Sequence, residues 1–401
     1  MKLWIVFIWG VILFFPVSRL SGQIVIRGEG GWKNPTVSFK GIHGENIQNT
    51  QILSDLRNCG WFDLVSSGEK SDFMIRARAV NNTLILDVAN GAGVPLYTVK
   101  AHGTDPRKLS HACVDAILKK EFGVKGICRS KIVFSAQTRR NEREIYLCDY
   151  DGRNIRRLTG NATLSIEPSW HPDGNSIIYN QYLLSSTPLV QLDLSRNRSR
   201  SLSNHRGINS GSISPCGKFL ALILTEKNQM DLYVRELNGG KLTRLTRDRA
   251  VEASPAWSPD SRYICFVSNR TGRPKLYIIP SSGGPARLLR GTLGSESVSP
   301  DWSGDNRIAY SARLGNYVLQ VVDLHKEMGF APSGNGKISM SADLGGRTVP
   351  GESPSWAPDN RHVVLSHKGA IYVVDTVSGR SRKIVGGRSH CSGASWSPIL
   401  R

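Results

Sequence analysis

The chain has 401 residues, too many for one ordinary core, so two domains or a repeat array is the starting expectation. Its 40 Gly and 19 Pro are scattered rather than clustered, which favours many short turns. A formal net charge of +20 draws acidic proteins, lipid headgroups and nucleic acid alike, and does not choose among them.

At the start, Lys2 is followed by an apolar run from Leu3 to Val17 that is too short for a comfortable membrane span. It ends near the small residues Ser21 and Gly22, the pattern of a secretory signal over residues 1–22. No lipobox cysteine follows, and no later stretch is apolar enough to cross a bilayer. The expectation is a soluble exported protein, with an uncleaved N-terminal anchor as the alternative. Residues 23–34, QIVIRGEGGWKN, begin strand-like and then turn glycine-rich, poor material for a core. A free or loosely docked tail acting as a peptide ligand is one reading, and a spacer left after processing is the other.

Residues 35–126 carry a mixed rhythm. PTVSF at 35–39 reads as a strand, and Asn46 through Asn58 as a helix with Ile47, Ile52, Leu53 and Leu56 on one face. FMIRARAV (73–80), TLILDVA (83–89) and PLYTVKA (95–101) follow as strands, the first two joined by an Asn81-Asn82 hairpin. A second helix starts at Asp105-Pro106 and runs to about Phe122. A small α/β domain results. On that helix His111 and Asp115 lie four apart and read as a solvated surface pair rather than a metal site.

From 127 to 401 the chain repeats. A tryptophan or apolar residue before Ser-Pro recurs at Trp170, Ile213, Trp257, Trp302, Trp356 and Trp396, with a period close to that of a four-stranded propeller blade. Each of the first five openings has a sequel; in the third it is RYICFVSNR, KLYIIPSSGG and ARLL. Residues 131–159 match this sequel with no opening before them, while the opening at 393–398 has no sequel after it. The two are pieces of one blade, so the last strand returns to complete the first blade and removes the free edge. The longest interval, between Trp302 and Trp356, holds a polar insertion at 329–346 that reads as an enlarged surface loop. The repeat tryptophans are expected to pack between neighbouring blades. The fold class is therefore a small N-terminal α/β domain followed by an all-β six-bladed propeller closed by the C-terminal strand.

Catalytic signatures are weak. GINSG at 207–211 has its serine one place late for a nucleophile elbow and sits in an expected propeller loop. The nine histidines form no HExxH, and DYDGRN (149–154) lacks the glutamate of a calcium loop and reads as a hairpin turn. Seven cysteines form no CxxC pair; Cys148 and Cys265 lie within strand-like runs as buried small side chains. Neither a catalytic residue nor a metal or cofactor is assigned. The segments before each opening, such as NHRGINSG (204–211) and RDRAVEAS (247–254), emerge at one end of the ring and make a natural docking surface.

With a Gly-rich tail, a small α/β domain and six SPxWSPDG-type repeats, the chain resembles the TolB family, periplasmic components of the Tol-Pal system in Gram-negative bacteria. The resemblance covers everything after the signal. It is most specific in SGASWSPILR (392–401), GVKGICRSKIVFSAQ (123–137) and DYDGRN. It implies a non-enzymatic coupling protein, working as a monomer without cofactor or nucleic acid, that supports outer-membrane integrity and constriction at cell division. The propeller face would bind the lipoprotein Pal, and the N-terminal strand would be recruited by TolA. Ile24, Val25, Ile26 and Gly28 match the family's TolA-recognition segment. Gly207, Ser210 and Ala253 occupy places of Pal contact, with Arg206 and Glu252 adjacent; the family's typical histidine is not at 207, and His205 lies two residues earlier. Two other classes stay open. A propeller hydrolase using the central channel would need paired carboxylates or a metal, and the loops offer only isolated Glu167, Glu252, Glu296 and Glu352. A basic scaffold for anionic envelope polymers, or for outer-membrane proteins, would use the charge directly.

Overall fold

The computed structural model describes residues 27–28, 31–44, 49–203, 207–324, 344, 347–387 and 390–399. The expected leader (1–22) and most of the 329–346 insertion lie outside the described residues. Two short strands, β1 (Arg27–Gly28) and β2 (Gly31–Trp32), pair antiparallel.

A five-stranded sheet then forms in the order β4-β3-β5-β6-β7. Its strands are β3 (Thr36–Gly44), β4 (Asp63–Val65), β5 (Phe73–Val80), β6 (Thr83–Asn90) and β7 (Pro95–His102). Strict alternation in β5 buries Phe73, Ile75, Ala77 and Ala79 and leaves Arg76, Arg78 and Val80 exposed. One face is thus core and the other solvent. Asn81 and Asn82 both take positive φ (46° and 57°), as a two-residue hairpin turn requires. The helix α1 is described over Asn49–Asn58 and buries Ile52 and Leu56; the expected start at Asn46 and the residue Ile47 lie outside the described residues. The helix α2 (Pro106–Phe122) is capped at both ends. Asp105 accepts from the Arg107 and Lys108 N–H groups, and left-handed Gly123 (φ 68°) donates to the Lys119 carbonyl. Two strands depart from expectation. β3 runs on to Gly44 because a bulge at Gly41 (φ 47°) carries it past the break after Phe39. The three-residue β4 has no pattern of its own and exists by parallel pairing with β3.

Among the described residues the rest of the chain forms one eight-stranded sheet, which holds blades 1 and 2, and four further sheets of three or four strands, one for each of blades 3 to 6. Blade 1 joins the closing strand Cys391–Trp396 to β8 (Lys131–Arg139), β9 (Glu142–Asp149) and Arg156–Arg157. Trp396 stands opposite Ile132 and Ser395 opposite Val133, so both ends of the repeat region share one antiparallel ladder. The innermost strands of blades 2 to 6 are Leu164–Trp170, Ile208–Ile213, Glu252–Trp257, Ser297–Trp302 and Glu352–Trp356. From blade 3 to blade 6 each touches the next, that of blade 3 meets the second and third strands of blade 2, and the closing strand touches those of blades 2 and 6. GINSG therefore lies largely on the innermost strand of blade 3, not in a loop.

The tryptophans link blades by hydrogen bonds as well as by packing. The indole N–H of Trp257 donates to the Ser212 carbonyl (2.9 Å), that of Trp356 to Asp301 (3.1 Å), and that of Trp170 to Ser395 of the closing strand (3.2 Å). Trp396 instead donates to Ser130 Oγ at 2.7 Å.

The α/β domain packs on the turns of blades 1 and 6, and its core is continuous with theirs. Asp55 on α1, fully buried, accepts from the Tyr150 hydroxyl (2.7 Å), Ser110 Oγ (2.6 Å) and Gln51 Nε2 (2.9 Å), and pairs with His111 Nδ1 (2.8 Å). The Trp61 indole donates to Asp359 (3.0 Å), while Arg361 stacks on the Trp61 ring and pairs with Asp375. The surface-pair reading of His111 and Asp115 is corrected here. Both are buried, and Asp115 accepts from the Cys128 and Arg129 backbone N–H groups rather than pairing with His111. Burial against the propeller, which helical spacing cannot report, decides this. All seven cysteines are free, and six of them are buried.

Candidate docking face

Because strands alternate in direction, the segments entering the innermost strands and the hairpins between second and third strands gather at one end of the ring. The α/β domain occupies the other end. Short clasps hold the free end in shape. In blade 1, buried Glu144 on β9 takes Thr159 Oγ1, the Arg157 guanidinium (3.1 Å) and the Ala162 N–H (2.9 Å), fixing the connection to blade 2. In blade 3, buried Asp231 holds Arg244 and Thr246 in the same way. In both, the threonine hydroxyl accepts the next N–H of the third strand, from Ile145 or Leu232 at 2.9 Å. The sequence signal is an acid on the third strand followed 13 to 15 residues later by Arg-Leu-Thr, at 157–159 and 244–246, which motif reading overlooked.

In blade 4 Arg270 does the corresponding work. It reaches Glu252 (2.7 Å) and Asp248 (3.4 Å) and lies over the rings of Tyr277 and Phe266. Burial pushes the Glu252 carboxyl up to about 7 against the pull of Arg270. Glu252 thus faces inward and shapes the 247–251 loop, while exposed Val251 and half-buried Ala253 flank it. Its second oxygen has no hydrogen-bond partner among the described atoms.

Gly207 leads into blade 3 with φ 80°, and a Cβ there would lie 3.2 Å from the Thr225 carbonyl oxygen. Only glycine fits without strain. Ser210 follows at a register shift, its hydroxyl buried and unpaired among the described atoms. His205 and Arg206 lie outside the described residues, as do Ile24, Val25 and Ile26 of the tail; Gly28 lies in β1, opposite Gly31. Two residues that sequence reasoning did not single out join this face. Arg143 bridges to the closing strand through the His390 carbonyl (2.9 Å) and Ser392 Oγ (2.6 Å), and Asn180 joins Glu167 to the Asn209 carbonyl.

Every innermost strand carries a bulge, and at Glu167, Ser254, Ser299 and Ser353 the residue before proline is left-handed. The bulges line a central channel of about 910 Å³. Burial raises the Glu167 pKa and pushes that of Asp301 up to about 6, the latter against the Trp356 N–H it accepts at 2.7 Å. The four glutamates considered for hydrolysis stand on four different blades. Glu167 holds Asn180, Glu252 holds Arg270, and Glu296 holds Arg313 (3.1 Å) and Tyr317 (2.6 Å); Glu352 is exposed. Among the described residues no three His, Cys, Asp or Glu side chains are grouped to hold a metal ion.

The chain is 31% identical over 173 residues to a Tol-Pal system protein TolB of Anaeromyxobacter dehalogenans, covering 43% of this chain and 40% of that one. It is 29% identical over 184 residues to a TolB homolog of Chlorobium luteolum, covering 45% and 41%. The matched stretch thus spans less than half the length of these curated relatives. A crystal structure of TolB from Acinetobacter baumannii has the same fold, with a TM-score of 0.79 at 18% identity over 92% of this chain and 98% of that chain. The family model described as the TolB beta propeller domain matches residues 118–400, the end of α2 and all six blades, and the chain belongs to that family.

Proposed function

We propose that this chain is a non-enzymatic adaptor of a Tol-Pal system, working in the periplasm of a Gram-negative bacterium. Membership in the TolB propeller family carries the reading. The lipoprotein Pal docks on the free end of the ring, where Gly207, Ser210 and Ala253 lie beside the clasped loops and His205 and Arg206 precede them. TolA takes the tail, residues 23–34, by strand addition, in which backbone bonds supply affinity and Ile24, Val25 and Ile26 set register. Competition between the two partners then serves outer-membrane integrity and constriction at division. Preformed loops suit this role, since ordering them in advance lowers the entropic cost of association.

Pull-down with purified partners tests it. Removing residues 23–34 is expected to abolish TolA capture and leave Pal binding measurable, and Ala253→Asp is expected to do the reverse. Undiminished TolA capture by the truncated protein would sink the tail assignment.

A further inference from the structure

The sheet of the α/β domain ends on an open strand. β7 is the last in the order β4-β3-β5-β6-β7, and no described strand pairs with its outer side. Its eight residues contrast with the outermost strands of blades 1, 3 and 4, Arg156–Arg157, Thr243–Arg244 and Arg287–Leu288, which have two residues each. Such short outer strands give another chain little to pair with. The direction of the free groups on β7 follows from its inner side. Asn82 accepts from the Gly103 N–H (2.9 Å) and the Asn90 N–H donates to the Val94 carbonyl (3.0 Å), so the even-numbered residues of β6 bond to β7. Leu84 stands opposite Ala101, Leu86 opposite Val99 and Val88 opposite Tyr97. The N–H and C=O groups of Thr98, Lys100 and His102 therefore point outward.

Lysines stand on both faces of this edge. Side chains alternate, so Lys100 lies on the open face of the sheet with Thr98 and His102, while Tyr97 and Val99 turn toward the core under α2. On that helix side the Lys120 ammonium lies 4.1 Å from the centre of the Tyr97 ring, and Lys119 precedes it on α2. Lys100, Lys119 and Lys120 are exposed, and none forms an ion pair among the described residues. The acids nearby are Asp87, already held by Arg78 (3.0 Å) and the Thr98 hydroxyl (2.6 Å), and half-buried Glu121 next to Tyr97.

We infer that β7 takes up an extended acidic segment of another protein as a sixth strand of this sheet. Backbone bonds to Thr98, Lys100 and His102 supply the affinity. Carboxylates opposite Lys100 on one face and near Lys119 and Lys120 on the other select the segment. The same lysines disfavour a second copy of this chain, because pairing two identical edges crowds like charges. A lipid surface or a hydrated polyanion meets the charges and leaves the outward N–H and C=O groups of β7 unused; an extended peptide uses both. The inference concerns the α/β domain alone and stands apart from the partners proposed above.

The test uses the full chain and a fluorescein-labelled peptide of about ten residues built on the repeat Glu-Glu-Val-Val, which spans β7 and places carboxylates on both faces of a strand. The same peptide with lysine for glutamate is the control. At about 0.05 M salt the acidic peptide is expected to bind, read by anisotropy, with a Kd below about 1 mM and about tenfold or more tighter than the control. Bound peptide should slow amide exchange at Thr98, Lys100 and His102 about tenfold and leave the Asn81-Asn82 turn unchanged. Lys100→Glu with Lys120→Glu should weaken binding about tenfold, whereas Arg139→Glu with Arg140→Glu, an equal charge change on the propeller, should not. All four side chains are exposed, so circular dichroism should show unchanged folding. No binding at about 1 mM, equal binding of the two peptides, equal loss in the propeller variant, or binding without protection of β7 overturns the inference. Protection of β7 that grows with protein concentration in the absence of peptide gives the edge to a second copy and overturns it as well. So does capture of phosphatidylglycerol vesicles, lost in the Lys100→Glu, Lys120→Glu variant, by a chain that ignores the peptide.

Discussion

One tryptophan of the repeat differs from its siblings in a way that can be measured. Trp170, Trp257, Trp356 and Trp396 each donate an indole hydrogen bond, whereas the indole nitrogen of Trp302 is buried without a partner among the described atoms. Replacing any of them by Phe removes the same atoms and leaves a similar void. At Trp257 the change also removes a 2.9 Å bond to the Ser212 carbonyl, a loss of about 1 kcal/mol beyond the void. At Trp302 the change removes a donor that had been desolvated without return, which offsets the void by a similar amount. Trp257→Phe should therefore lie about 2 kcal/mol below Trp302→Phe in stability. Urea unfolding followed by far-ultraviolet circular dichroism gives the order, since tryptophan fluorescence would itself be altered by the substitutions. If Trp302→Phe costs as much as Trp257→Phe, the indole bonds between blades contribute nothing distinguishable from packing.

Two further outcomes follow from buried carboxylates. Glu252 has a folded pKa of about 7, above its ordinary 4.5, so the folded state retains a proton that the unfolded state releases. The stability tied to that proton is complete below the unfolded value and is lost as pH rises toward 7. Glu252→Gln should remove this slope, so that the variant gains on the wild type between roughly pH 5 and 7 and tracks it above; parallel stability curves across that window would contradict the assignment. Tyr150→Phe deletes the propeller's bond to buried Asp55 and should cost about 1.5–3 kcal/mol, with faster proteolysis of the 123–130 junction in the native state. Unchanged cleavage there would mean that the Asp55 cluster does not couple the two domains.

Much of the architecture was legible because its determinants are local or periodic. The Ser-Pro openings, the Asn81-Asn82 turn and the Asp105-Pro106 cap each act over a few residues. Closure was legible because a count of openings against sequels leaves one of each, and Trp396 opposite Ile132 is that remainder paired. Which loops share one end of the ring was legible by strand alternation, but the side chains that support those loops were not. Arg270 lies 18 residues from Glu252, and Arg143 lies 247 from His390, separations with no periodic signature.

The chain alone determined the repeat, the blade count it implies, the hairpin turns and the helix caps, since each is settled by steric preferences and hydrogen bonds within a short window. Only the folded molecule decided which polar groups lie inside. His111 and Asp115 go from an apparent surface pair to parts of separate buried clusters because a propeller blade covers their helix. Glu252 turns inward because Arg270, itself laid over two aromatic rings, pairs with it there. Burial is a property of what packs against a residue, and neighbours brought from far along the chain leave no mark on the residues beside it.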